Sequence, residues 1–322
     1  MFSGMFKNIF LIIEIYDKYC MVHAWTVSSQ KVIKKIKKKF FYDKKNKTPD
    51  VMLNFIYDYT KKYSQSYLAT ILNSSNQRTL LEDTASKKFL KTLHETNISI
   101  QVDPKWRVYV PSRDIEKLKK EFQPLIFDLI ISPISILHHL YRQGSKDDGH
   151  IYILALPYTV CIAVFKGTVA VTSVTLSLLT DENTDTGDQF DFVHPDDIME
   201  DEFEIDSEVQ KRDLELEDEG FAIEDQDNIT IKEEDDEDTT VHASSDLGDE
   251  LIKNIQYVIE QFYGSPYYHD DNDLIGSIVI FNQDIFTAQL RAQLREEMML
   301  EIFHKEINVI ETISTMMIQD IS

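Results

Sequence analysis

The chain has 322 residues, 43% of them hydrophobic with 18 Phe and 15 Tyr, enough to build a packed core in one bilobed body or two modest domains. Its net charge of −23 is local: Asp181 to Glu250 holds 30 acids against 3 bases, a −27 that leaves the other 252 residues at about +4. Cys20 and Cys161 are the two cysteines and stand far apart, without a CxxC or a Cys/His cluster; this excludes a disulfide framework and a zinc site and points to a reducing compartment.

The first element is an apolar run from Ile9 to Tyr16, followed by a second from Tyr19 to Thr26. Together they predict a β-hairpin over residues 8–28 with Tyr16-Asp17-Lys18 near its turn. The N-terminus has neither a basic n-region nor a small-residue cleavage site, so no signal peptide is expected. Lys31 to Lys47 then carries nine lysines against one acid, Asp43. It reads as a further strand or an edge guarded by lysine, with attraction to an anionic surface as the other reading. Lys34, Lys35, Lys37 and Lys38 are the candidate basic edge. No RNP-type aromatic pattern or helix-turn-helix accompanies them, so nucleic acid is not an expected partner.

Thr48-Pro49-Asp50 starts a helix whose apolar residues Val51, Met52, Phe55, Ile56 and Tyr59 share helical spacing. A strand is predicted over Tyr67–Asn73, a helix over Glu82–Leu93, and strands over Ile98–Val102 and Trp106–Val110. A charged helix follows over Arg113–Phe122, then a buried strand over Phe127–Ile131 and a short helix over Ser135–Gln143. Strands alternating with helices predict an α/β fold. His138-His139 reads as a helix-end pair and not as a metal site.

From His150 to Thr180 the only formally charged residue is Lys166, long enough for a membrane span. Pro157, Gly167 and many β-branched residues instead predict two buried strands split at Lys166-Gly167-Thr168. The acidic segment is interspersed with Phe190, Phe192, Phe203 and Phe221, a pattern expected to be flexible until a partner supplies apolar surface. These phenylalanines are candidate partner anchors, and removing Glu182 to Asp246 should leave the fold intact. A helix is predicted over Leu251–Tyr263, a strand over Leu274–Phe281 and a helix over Ile285–Phe303; Val309–Ile318 is apolar and of open type. The organisation is therefore 1–180, a first lobe and the start of a second; 181–250, an acidic insertion; and 251–322, the remainder of the second lobe.

This order of hairpin, helix, strand, helix, strand, second hairpin and helix-strand-helix resembles the actin-like proteins. It is most similar to their PilM/GspL branch, the cytoplasmic platforms of type IV pilus and type II secretion machines. The resemblance implies a bilobed actin-like, ribonuclease H-like fold with nucleotide turns in three places. In the first turn an Asp-x-Gly should approach phosphate through its backbone, which needs glycine; the corresponding residues are Glu14 and Tyr16. In the second stands Ala155-Leu156-Pro157, lacking the carboxylate that orients Mg²⁺ and one backbone N–H. The third should be glycine-rich and reads Phe281-Asn282-Gln283-Asp284. Catalytic residues, metal and cofactor are accordingly not expected. No GxSxG, HExxH or complete P-loop is present, since His150 replaces the lysine after Gly144 to Gly149. Around Asp271 to Asn282 a calcium loop fails at Ile275 and Asn282.

What the resemblance implies is a non-catalytic scaffold, cytoplasmic and peripheral at the inner face of the inner membrane, without insertion into it. It would bind the cytoplasmic tail of a single-span membrane protein and join other ring or platform subunits. A type IV pilus, a type II secretion or DNA-uptake system and a flagellar motor are compatible hosts. An active ATPase with unorthodox nucleotide residues and an acidic protein-binding adaptor are the alternatives.

Overall fold

Ile9 to Ile13 lie at the centre of the first sheet with almost no solvent exposure, which is what an unbroken apolar run does when both faces of a strand are covered. The computed structural model describes residues 7–42, 47–75, 77–82, 97–144, 149–178, 245–268, 274–282 and 288–321. Within them the chain builds the same sheet twice. In the first, β1 (Lys7–Ile15), β2 (Tyr19–Ser28) and β3 (Lys31–Phe41) form an antiparallel meander. Beside it β4 (Gln65–Ile71) runs parallel to β1, and β8 (Leu129–Ile131) parallel to β4. The order is β3-β2-β1-β4-β8.

The second sheet repeats this with β9 (His150–Ala155), β10 (Thr159–Lys166), β11 (Val169–Ser177), β12 (Ser277–Asn282) and β13 (Glu301–Glu306) in the order β11-β10-β9-β12-β13. Its meander is antiparallel and its last two strands are parallel to β9. Two ribonuclease H-like sheets in tandem are the actin-like α/β architecture. The helices repeat as well. α1 (Asp50–Thr60) separates β3 from β4, and α4 (Ser245–Tyr263) separates β11 from β12. α3 (Pro133–Gln143) follows β8, and α6 (Val309–Ile321) follows β13.

These last two helices tie the halves together. α3 packs on β9, β10 and β11 of the second sheet, while α6 packs on α3 and on β1 of the first. Ser132 caps α3 by accepting from the N–H of Ile134 at 3.2 Å, and Pro133 opens it. One hydrophobic cluster consequently runs through both halves. At its middle the Tyr141 and Phe165 rings stack at 4.7 Å, with His138 5.6 Å from Phe165 and 5.0 Å from Trp106.

Between β4 and β8 the first half carries a small antiparallel sheet of β5 (Arg78–Leu81), β6 (Asn97–Asp103) and β7 (Trp106–Pro111), in the order β5-β7-β6, followed by α2 (Ser112–Glu121). It is fastened to the second sheet by side chains of β11: Thr79 N–H donates to Ser173 Oγ at 2.8 Å and Gln77 N–H to Thr175 Oγ1 at 3.0 Å.

Four readings change in the structure. The stretch 150–180 holds three strands, because the turn at Pro157 breaks it as well as Gly167. α4 begins at Ser245 rather than at 251. The open element near the C-terminus is helical. The helix expected to reach Phe303 is α5 (Ala288–Met298) alone: Met299 takes a left-handed φ of 53° and turns the chain into β13. Glycine usually marks such a helix end, and a methionine there gives no sequence signal. Residues 83–93 of the helix expected over Glu82–Leu93, and residues 181–244 of the acidic segment with Phe190, Phe192, Phe203 and Phe221, lie outside the described residues.

Candidate functional site

The two hairpin turns, Tyr16-Asp17-Lys18 and Leu156-Pro157-Tyr158, are the ones in which the sequence resemblance leads one to expect phosphate-binding residues. Each closes with the same hydrogen bond, Tyr16 N–H to Tyr19 O and Leu156 N–H to Thr159 O, both 2.9 Å. The strand registers pair Ile15 with Cys20 and Ala155 with Val160. Tyr16 therefore corresponds to Leu156 and Asp17 to Pro157. This moves the expected pairing of Glu14/Tyr16 with Ala155/Pro157 by one residue, and Glu14 matches Leu154 instead. Neither turn contains a glycine, and positions 154–156 of the second hairpin contain no carboxylate.

The turns face each other and are joined. Asp17 N–H donates to Tyr158 Oη at 2.9 Å. The Tyr16 ring meets Tyr158 edge-on at 6.0 Å and stacks on Tyr19 at 4.5 Å. Tyr19 in turn touches Phe41 at 5.9 Å and lies under Lys39 Nζ at 4.1 Å. Burial, reinforced by the Glu14 carboxylate, pushes the Tyr16 phenol well above its ordinary range; burial also raises Tyr158. Both phenols stay neutral donors and acceptors.

Glu14 is nearly buried and its Oε2 lies 2.7 Å from His23 Nε2, so its carboxylate is held by the neighbouring strand. Ala155 ends β9 in the core. Asn282 ends β12, paired in backbone register with Ala155 and Glu306; residues 283–287 of the third expected turn lie outside the described residues. The arrangement has a direct chemical meaning. A phosphate-binding turn needs free backbone N–H groups. Those of Tyr16, Asp17 and Leu156 are already engaged, and Pro157 has none.

Lys34, Lys35, Lys37 and Lys38 lie on β3, an edge strand as read from sequence, but they divide between its two faces. Lys38 Nζ stands 5.3 Å from both the Phe40 and Phe55 rings on the α1 side. Lys35 Nζ lies 4.1 Å from the Trp25 ring and 2.6 Å from Glu311 of α6 on the other. Sequence reasoning missed the Asp17–Tyr158 contact, although aligning the two hairpins on their turns would have exposed Tyr158. Gly144 and Gly149 do not form a phosphate loop: Gly144 closes α3, and Gly149 enters β9 at φ +94° with its carbonyl accepting from Gly276 N–H. A cavity of about 360 Å³ lies between α3, β9, β12 and β13, lined by Tyr141, His150, Tyr152, Phe281 and Phe303 among others. Among the described residues no helix is long and apolar enough to cross a membrane.

Among solved structures the chain is similar to a Bacteroides thetaiotaomicron protein described as having an actin-like ATPase fold and unknown function. The two are 8% identical over 95% of each chain, with a TM-score of 0.47. A PilM–PilN type IV pilus biogenesis complex is 7% identical over 96% of this chain and 90% of that one, with a TM-score of 0.43. A Ppx/GppA family member from Aquifex aeolicus matches 53% of this chain and 51% of its own at 10% identity and a TM-score of 0.28. Scores of this size add nothing to the fold, which is fixed by strand order. No curated protein matches the chain. Residues 6–138, the first half, match the model described as a domain of unknown function, DUF8569. Residues 151–322, more than half of the chain and beginning within β9, match a second such model, and the chain therefore belongs to the family described as domain of unknown function DUF8341.

Proposed function

We propose that this chain is a non-catalytic scaffold that uses an actin-like frame for protein contacts, as a platform subunit at the cytoplasmic face of an inner membrane. The carrying observation is the filled hinge between the hairpin turns. The N–H groups of Tyr16, Asp17 and Leu156 are bonded within the protein, Pro157 has none, and the Tyr16 and Tyr158 rings meet between the turns. The sequence resemblance to the PilM/GspL branch supports the rest of the reading: recruitment by the cytoplasmic tail of a single-span membrane protein, within a multi-subunit pilus, secretion or motor assembly.

The small sheet offers a place for such a tail. β6 is its outer strand and has no strand partner on its far side among the described residues. It presents Ile98 and Ile100, 38% and 48% exposed, on one face. An extended tail adding a strand there would gain main-chain hydrogen bonds and two apolar anchors. The test is purification of the tagged chain from detergent-solubilised membranes of its own cells, beside the Ile98→Asp/Ile100→Asp variant. The wild type should carry a single-span membrane protein that the variant loses. Recovery without any membrane protein would overturn the platform reading; equal recovery by both chains would overturn β6 as its site.

A further inference from the structure

At the end of the first sheet opposite the Tyr16 turn, four segments meet around an open cavity of about 380 Å³: the start of β1, the end of β2, the bulge of β3 and the turn after α1. Lys7, Lys34 and Lys62 line it together with the hydroxyls of Thr26, Tyr63 and Ser64. The fold brings these residues together for identifiable reasons. The register between β2 and β3 shifts at Thr26/Val27, which pushes Ile33 outward and sets Lys34 opposite Thr26. Lys7 lies across from Ser28. α1 stops at Thr60, and its next residues divide. Lys61 turns back over the Tyr57 ring at 5.5 Å, whereas Lys62 lines the cavity.

The hydroxyls are held in place. Thr26 Oγ1, on a buried residue, lies 3.0 Å from Tyr63 Oη, and Ser64 Oγ donates to Lys7 O at 3.3 Å. No acid lines the cavity, and none of its lysines has a carboxylate within ion-pair distance among the described residues. Two other lysines of this region differ: Lys35 is paired with Glu311 and Lys47 with Glu121. Three lysines lining one concavity, with no carboxylate beside them among the described residues, create a positive potential that favours a multiply charged anion. Lysine binds phosphate as a point charge, and hydroxyls add neutral donors.

We propose that this cavity is a binding site for a phosphate-bearing anion, remote from the hairpin turns and independent of the scaffold reading. The anion is either a soluble oligophosphate or the headgroup of an anionic lipid, which share the chemistry the three lysines recognise. Exposed Ile33 at the rim, 53% accessible, would touch the acyl boundary in the second case.

The experiment uses the full chain. Pyrophosphate and tripolyphosphate are titrated calorimetrically at low salt, and flotation is measured with phosphatidylcholine vesicles with and without phosphatidylserine. Two double variants of equal charge change are compared, Lys34→Ala/Lys62→Ala in the cavity and Lys117→Ala/Lys119→Ala on the exposed face of α2, after their melting temperatures are shown to match wild type. Saturable binding in at least one arm is expected, weakened about tenfold for each cavity lysine removed and unchanged by the α2 variant. Binding of the soluble anions identifies a free ligand; binding of the charged vesicles alone identifies a headgroup. Absence of binding in both arms, or equal weakening by the two variants, overturns the site.

Discussion

His138 makes a sharp test of how the two halves are joined. It sits on α3, the helix that leaves the first sheet and packs on the second, and is 6% exposed among Trp106, Tyr141 and Phe165. Its Nε2 is buried with no hydrogen-bond partner among the described residues. Burial, with the charge of Arg142 as the next cause, lowers its pKa from 6.5 to about 4. The folded protein thus holds a neutral imidazole, while the unfolded chain takes up a proton near pH 6.5. The stability from this group is complete above pH 6.5 and is lost as the pH falls through about 4. A difference of this size corresponds to about 3 kcal/mol, most of it lost by pH 4.5. Urea unfolding followed by tryptophan fluorescence, with Trp106 as the adjacent reporter, should be run at pH 7 and pH 4.5 on wild type and His138→Leu. Carboxylates elsewhere destabilise both proteins alike, so the comparison isolates this residue. Wild type should lose about 2–3 kcal/mol more than the variant. Equal losses would refute the packing of α3 described here.

Two further substitutions probe the site and the second sheet. Tyr158→Phe keeps the ring against Tyr16 and removes the acceptor of Asp17 N–H; it should cost about 0.5–1 kcal/mol in urea unfolding, and an unchanged midpoint would deny the contact between the turns. Gly149→Ala places a Cβ 2.9 Å from the Leu274 carbonyl at a φ of +94°, which should destabilise the protein by about 1–3 kcal/mol; a neutral effect would show that the entry of β9 beside β12 is wrongly placed.

Much of this fold was legible in the sequence, for physical reasons that differ by element. β1, β9 and β10 are covered on both faces and appear as apolar runs, although the break between β9 and β10 at Pro157 was missed, and Pro49 announces α1. β13 was not legible: it is an edge strand with Glu301, His304, Lys305 and Glu306 in solvent, so it lacks apolar alternation and merged with the helix before it. β5 is four residues long, too short to show a period. At the site, pairing Glu14/Tyr16 with Ala155/Pro157 was one residue off, because only the strand registers align the two turns, but the lack of glycine in residues 14–18 and 154–158 could be read from residue identity alone. The closure that follows could not, because Asp17 and Tyr158 are 141 residues apart. The basic cavity has the same character: Lys7 and Lys34 lie on two strands and Lys62 in the turn after α1, and only the fold brings them together.

The claim that the actin-like frame here works without nucleotide chemistry is tested most directly by Mg-ATP. Binding and phosphate release are measured on the chain carrying Lys34→Ala/Lys62→Ala, so that a triphosphate held in the basic cavity does not contribute. A ligand at a hundredfold excess over its Kd would stabilise the native state by about 2.7 kcal/mol, readily seen as a melting shift. The account predicts no shift and no turnover. A saturable shift with turnover that is abolished by substituting Glu14 or Tyr16 would contradict it.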